Sequence, residues 1–138
     1  MNTGSGLRSW GLTLLRVVVG VIFVMHGWMK LSMGFHSVAD MLGSLHIPLP
    51  TLAAVVLTLV EFIGGIALIL GVLTRYVAAL LAIDMLVALI TVHIKNGFFL
   101  PKGVEFPLLL LVANLNLILA GAGALKVRAF RKKTASTV

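Results

Sequence analysis

The chain has no cysteine. It can supply no disulfide, no thiolate metal ligand and no iron–sulfur cluster, so any thiol or metal–sulfur chemistry belongs to a partner. Charge is also scarce. Only 11% of the 138 residues are Asp, Glu, Lys or Arg, against about 25% in soluble domains. No nucleophile–His–acid arrangement and no phosphate-cradling glycine loop is present. Hydrophobic residues make up 60% of the chain, and no water-soluble module of useful size fits between the apolar runs. The composition is that of an all-α integral membrane protein in one domain. The runs are continuously apolar rather than alternating, which excludes a β-barrel.

About 20 apolar residues cross a bilayer as a helix. Four runs qualify, at roughly 10–29, 49–73, 76–94 and 104–125. Short links predict an up-down four-helix bundle, preceded by a flexible stretch at 1–9 and followed by a basic tail at 126–138. The first run has no small-x-small cleavage site and is read as retained. Residues 30–50 have room for a short interfacial helix ending before Pro48, with Val38, Met41, Leu42 and Leu45 on one face, suited to lying on a membrane. The net charge of +7 has a topological reading rather than a nucleic-acid one. Arg8, Arg75, Lys126, Arg128, Arg131, Lys132 and Lys133 lie at one set of span ends and Lys30, Lys95 and Lys102 at the other. That asymmetry puts both termini in the cytoplasm and draws the tail to anionic lipid.

The ionisable residues inside the runs are the candidate functional groups. A carboxylate near the bilayer centre costs about 2.5–3.5 kcal/mol on insertion scales. Glu61 nevertheless sits within LPTLAAVVLTLVEFIGGIALILGVL, Arg16 in the first run and Asp84 in the third. Counted from the cytoplasmic span ends at about 1.5 Å per residue, Arg16, Glu61, Asp84 and Asn114 all fall roughly 12–18 Å deep. They are expected to form one polar layer, with Glu61 paired to Arg16 and Asp84 as the surplus acid. Such a layer either handles protons or locks the helices together. Helical phase groups Arg16, Gly20, Phe23 and Gly27 on one face, Ala54, Thr58, Glu61 and Gly65 on another, and Asp84, Ala88 and Thr91 on a third.

A second cluster is expected near the outer surface, from His26, Lys30, His93 and Glu105. His shuttles protons near neutrality. With Trp28, Phe98 and Phe99 around them, these residues form a possible rim for a flat redox-active ring such as a quinone. Against this, Lys30 at a span end commonly snorkels to the surface, and the aromatics commonly anchor at the interface. His93 lies about 180° from Asp84 on a regular helix, at about 100° per residue. His26, His93 and Glu105 are also plausible zinc or copper ligand types, though no metal is assigned. Gly64–Gly65 and Gly121-Ala-Gly123 read as sites of close helix packing.

LRVVVGVIFVMHGWMKL, VEFIGGIALILGVLTR, KNGFFLPKGVEFPLLLL and GAGAL occur in that order and resemble the DoxX family, small four-span membrane proteins of bacteria and archaea. The resemblance runs from about Leu12 to Leu125, and its motif positions here include Arg16, His26, Lys30, Glu61, Arg75 and Glu105. Ala122 stands where the family often has proline. The resemblance implies a multi-pass plasma-membrane subunit associated with quinone-linked or thiol-redox systems. The resulting expectation is a redox subunit that binds a quinone, with Glu61, Asp84 and His26 handling protons and Arg16, Lys30, Glu105 and Asn114 completing the site. Electrons come from a redox protein partner, and a homo-oligomer is admissible. Two alternatives stand beside it: a small oligomeric transporter and a structural anchor for a redox partner.

Overall fold

The computed structural model of the protein describes residues 3–127, with side chains from residue 5. The basic residues from Arg128 onward lie outside the described residues. The described chain is helical, with no strand. Its helices are α1 (Thr3–Met33), α2 (Phe35–Ser44), α3 (Pro50–Leu70), α4 (Thr74–Ala88) and α5 (Glu105–Ala120). A π-turn at Leu89–His93 and a 3₁₀ turn at Ile94–Asn96 continue α4. Three helices are long and apolar enough to cross a membrane: Ser5–Met33, Pro50–Leu70 and Thr74–Asn96. The 16-residue α5 is a shorter apolar helix. Because α1 begins at Thr3, the segment expected to be a flexible N-terminus is helical from that point.

Outward faces are apolar. Leu14, Val18, Val21 and Met25 on α1 and Leu52, Val56, Leu59 and Ile63 on α3 are exposed, as lipid-facing residues are. The inward faces are those that helical phase predicts. Arg16 and Phe23 on α1, and Ala54, Thr58 and Glu61 on α3, are buried. Val19, Phe23, Leu68, Leu81, Leu110 and Leu117 form the centre of the main core.

Glycine sets how α1 meets α3. A Cβ on Gly20 would lie 2.7 Å from the Gly65 carbonyl oxygen, and one on Gly65 would lie 2.7 Å from that of Gly20. Gly27 touches the Phe62 backbone in the same way. The two helices run antiparallel with their backbones in contact, the arrangement small residues permit between helices in lipid. Gly64 instead faces Val77 and Leu81 of α4 at ordinary contact distance.

α3 stops at Gly71, which adopts the left-handed conformation at φ 73. Its N–H donates to the Leu68 carbonyl and the Val72 N–H to that of Ala67, closing the helix end. Three residues later α4 begins, so α3 and α4 form a tight hairpin. α2 departs from the expected surface helix. Val38, Ala39 and Leu42 are buried against Ala54, Ala53 and Leu57, so this face packs on α3 rather than lying on the membrane.

At the other end of the chain, α5 closes at Ala120 instead of continuing to 125. Gly121 and Gly123 hold φ of 86° and 78°. Both are turn glycines, and Gly123 also packs closely on α1 as expected, since a Cβ there would lie 2.6 Å from the Ser9 carbonyl oxygen. Residues 121–127 fold back as a strap. The Ala124 N–H donates to the Ser9 carbonyl at 3.1 Å and to Thr13 Oγ1 at 2.9 Å, and the Val127 N–H donates to the Leu70 carbonyl at 3.0 Å. The strap thereby satisfies a carbonyl left open at the end of α3.

Candidate functional site

The register fixed by Gly20, Gly27, Phe62 and Gly65 decides where the polar residues meet. Glu61 stands opposite Gly27 and the residues just after it. Lys30 is one helical turn further along α1 and turns inward, and its Nζ forms an ion pair and hydrogen bond with Glu61 Oε2. The side chains are 12% and 3% exposed, so this is a buried pair and Lys30 does not snorkel. The expected Arg16–Glu61 pair is not formed. Arg16 lies near Gly71, about ten residues along α3 from Glu61, or roughly 15 Å at the helical rise. Arg16 sits away from the level of Glu61 because α1 is 31 residues long, about 46 Å, and overhangs the end of α3. Counting inward from the start of its apolar run does not give its level.

Arg16 has a different environment. It is 2% exposed. Its Nη2 donates to the Leu125 carbonyl of the strap at 2.7 Å, while Nε and Nη1 have no hydrogen-bond partner. Thr13 supports this arrangement by donating to the Ser9 carbonyl and accepting the Ala124 N–H. Asn114 separates from the layer too. It is fully buried on α5, and its Nδ2 donates to the Leu110 carbonyl of its own helix.

The remaining groups converge on a cavity of about 410 Å³ enclosed by all five helices. Lys30, Glu61 and Asp84 line it together with His26, His93 and Thr91. Phe23, Met85, Phe106 and Leu110 supply apolar wall, and Met41, Leu42 and Leu45 of α2 and its end close one side. Asp84 Oδ2 is buried and has no hydrogen-bond partner. One ammonium thus faces two carboxyl groups in a space of otherwise low polarity.

Both histidines are oriented by backbone. His26 Nδ1 lies 2.9 Å from the Ile22 carbonyl and His93 Nδ1 lies 2.7 Å from that of Lys102. A carbonyl only accepts, so each Nδ1 carries the hydrogen, and each Nε2 is left to accept or pass a proton. His26 also stacks on Phe106, with ring centroids 6.1 Å apart. His93 reaches the cavity although a regular helix would turn it away from Asp84. The π-turn at Leu89–His93 explains this. An i→i+5 closure holds one extra residue, which swings the following side chains back by up to one step, about 100°. The β-branched run Ile90-Thr91-Val92 marks the spot, since such residues fit a regular helix poorly.

Glu105 does not line the cavity. Its Oε1 accepts the Leu100 N–H at 2.5 Å and holds the turn before α5. Trp28, Phe98 and Phe99 are likewise outside: Trp28 pairs with Phe62, and Phe98 with Phe99, edge to face. The aromatic wall is Phe23, which helical phase placed on the inward face of α1, and Phe106, which sequence pattern alone did not single out. No three His, Asp or Glu side chains among the described residues group as metal ligands, so His26, His93 and Glu105 do not form a metal site.

The DoxX family model matches residues 11–94. The chain belongs to the DoxX family. Relatives of this DoxX protein include a Bacillus subtilis (strain 168) protein named "Putative oxidoreductase CatD", 38% identical over 120 residues, covering 87% of this chain and 86% of that one. A Haemophilus influenzae protein of uncharacterized function is 34% identical, covering 90% and 92% of the two chains. The Escherichia coli inner membrane protein YphA is 36% identical over 69 residues, about half of each chain. No solved structure matches. Family and apolar helices together identify a membrane protein of bacterial type in contact with lipid.

Proposed function

We propose that this DoxX protein is the membrane subunit of a redox system, and that the cavity among its helices takes a quinone or a similar lipophilic electron carrier. The observation that carries the reading is the meeting of Lys30, Glu61 and Asp84 in a cavity walled by Phe23, Met85, Phe106 and Leu110. A volume of about 410 Å³ falls within the range of about 300–1,000 Å³ common for small-molecule sites. The mix of apolar wall and few convergent polar groups suits a flat ring with two carbonyl oxygens. A relative named as an oxidoreductase is consistent with this class of chemistry.

Such a carrier would bring the electron-accepting carbonyls, and its full reduction consumes two electrons and two protons. The electrons come from a partner protein, because this chain has no thiol. The protein's own residues would hold and move protons. The Lys30 ammonium can donate to an oxygen in the cavity while remaining anchored to Glu61. Asp84, with one oxygen unpartnered, can hold a proton beside that pair and release it into the cavity. His26 and His93 present Nε2 on the outer side as the route by which protons arrive. In the bilayer the chain runs up and down as a four-span bundle. Seven cations at the end carrying the termini, against three at the other, put both termini in the cytoplasm and open the cavity toward the outer leaflet.

The test is saturable binding of a short-chain benzoquinone to the purified protein in detergent. Glu61→Gln combined with His26→Ala should weaken loading about tenfold, as the loss of one or two good hydrogen bonds would. Loading that survives both changes in a folded protein refutes the site. Solute flux into liposomes from the protein alone would instead favour the transporter reading.

A further inference from the structure

The opposite end of the molecule carries a second concave feature, well separated from the Lys30–Glu61 cavity. It is an open cleft of about 880 Å³ between the start of α1, the start of α4 and the strap. Arg8, Arg75 and Lys126 line it, and no acidic residue does. The uncapped N-terminus of α4 opens into it. Its N-cap, Leu73, makes no side-chain capping bond, and a helix leaves its first N–H groups without intrahelical partners. A helix start is by itself a weak signal. Here a buried side chain reinforces it. Thr74 lines the cleft and is 5% exposed, yet its Oγ1 has no hydrogen-bond partner. Gly71 forms the adjoining wall, and directly behind it lies the Arg16 guanidinium with two unpartnered nitrogens.

Backbone N–H groups, a hydroxyl, an ammonium and two guanidinium groups form a donor set with no carboxylate in the cleft to receive it, although Arg75 Nη2 also donates to the Leu119 carbonyl at 3.3 Å. Phosphate suits it, since its oxygens accept many bonds and guanidinium forks match them in pairs. Leu73 and Tyr76 line the same cleft and are strongly exposed. An aromatic and an apolar side chain at a helix end belong at the membrane–water boundary. We propose that this cleft is a phosphate-binding site at that boundary, held by Arg8, Arg75, Lys126 and the start of α4 at Thr74.

The phosphate can come from an anionic lipid headgroup or from a soluble phosphate, and one experiment separates the two. Full-length protein purified in detergent is titrated with phosphatidylglycerol, or with phosphatidylcholine as the zwitterionic control, and bound lipid is counted by native mass spectrometry. Arg8 and Lys126 are exposed, so R8Q/K126Q should fold normally. It should retain about tenfold less phosphatidylglycerol than wild type. Thr74→Val, which keeps shape and loses the hydroxyl, should lower retention in the same direction. The control K95Q/K102Q removes equal charge from exposed, described residues that do not line the cleft and should retain lipid as wild type does. Displacement of the lipid by millimolar inorganic phosphate assigns a soluble phosphate as occupant, and resistance to displacement assigns the lipid headgroup. Equal retention by wild type and R8Q/K126Q, equal loss in the control, or binding of neither lipid nor phosphate overturns the proposal.

Discussion

The Lys30–Glu61 pair makes an asymmetric prediction. Glu61 is buried and Lys30 largely so, and removing one partner of a buried ion pair strands the other at a cost of about 3–5 kcal/mol. The two deletions should nevertheless differ. Lys30→Met leaves Glu61 and Asp84 as two carboxyl groups lining one cavity with no cation between them. Glu61→Gln leaves the ammonium with Asp84 as a remaining acid in the same cavity. Lys30→Met should therefore cost the full amount, and Glu61→Gln at least about 1 kcal/mol less. The double variant K30M/E61Q should recover roughly 2–4 kcal/mol relative to the sum of the singles, which is the coupling of the pair. Unfolding in mixed detergent and SDS, followed by circular dichroism, measures all four corners of the cycle. Singles that add to within about 0.5 kcal/mol would mean the two groups do not interact. Glu61→Gln proving worse than Lys30→Met would refute the role given to Asp84.

Gly65→Ala should destabilise by about 1–3 kcal/mol through overpacking against the α1 backbone, whereas Gly64→Ala, in ordinary contact with Val77, should be neutral or stabilising; thermal unfolding in detergent compares them. Thr13→Val leaves strap N–H groups without their hydroxyl acceptor and should cost about 1–3 kcal/mol, with faster hydrogen exchange at Ala124. Ala88→Phe fills the cavity from α4 and should abolish quinone loading while leaving the Lys30–Glu61 coupling intact, read by repeating the double-variant cycle in that background.

Much of the fold was legible because lipid imposes simple rules. Continuous apolar runs had to be helices, and the buried faces through Arg16, Phe23 and Gly27, and through Thr58, Glu61 and Gly65, followed from a period of 3.6. What pattern could not supply was the longitudinal register between helices. That register depends on Gly20 meeting Gly65, a pairing no single-helix argument contains, and it exchanged Arg16 for Lys30 as the partner of Glu61. His93 was misplaced for a related reason, since one π-turn resets the phase of everything after it. Glu105, read as a rim residue, became a turn clasp because a side chain one residue into a helix reaches its own preceding loop more easily than a neighbouring helix.

The strap has a consequence for how the protein is made. Arg16 belongs to the first span synthesised, yet the carbonyl that receives its Nη2 lies 109 residues later, at Leu125. Until the last helix has been inserted and the chain has turned at Gly121, the first span holds a guanidinium with no protein acceptor from the strap. Its earliest stable position is therefore with Arg16 close to the headgroups, and full seating of α1 against α3 waits for the strap to be made. The chain closes its own beginning with residues 121–127, so an error in placing them would be read out as a defect in the first helix.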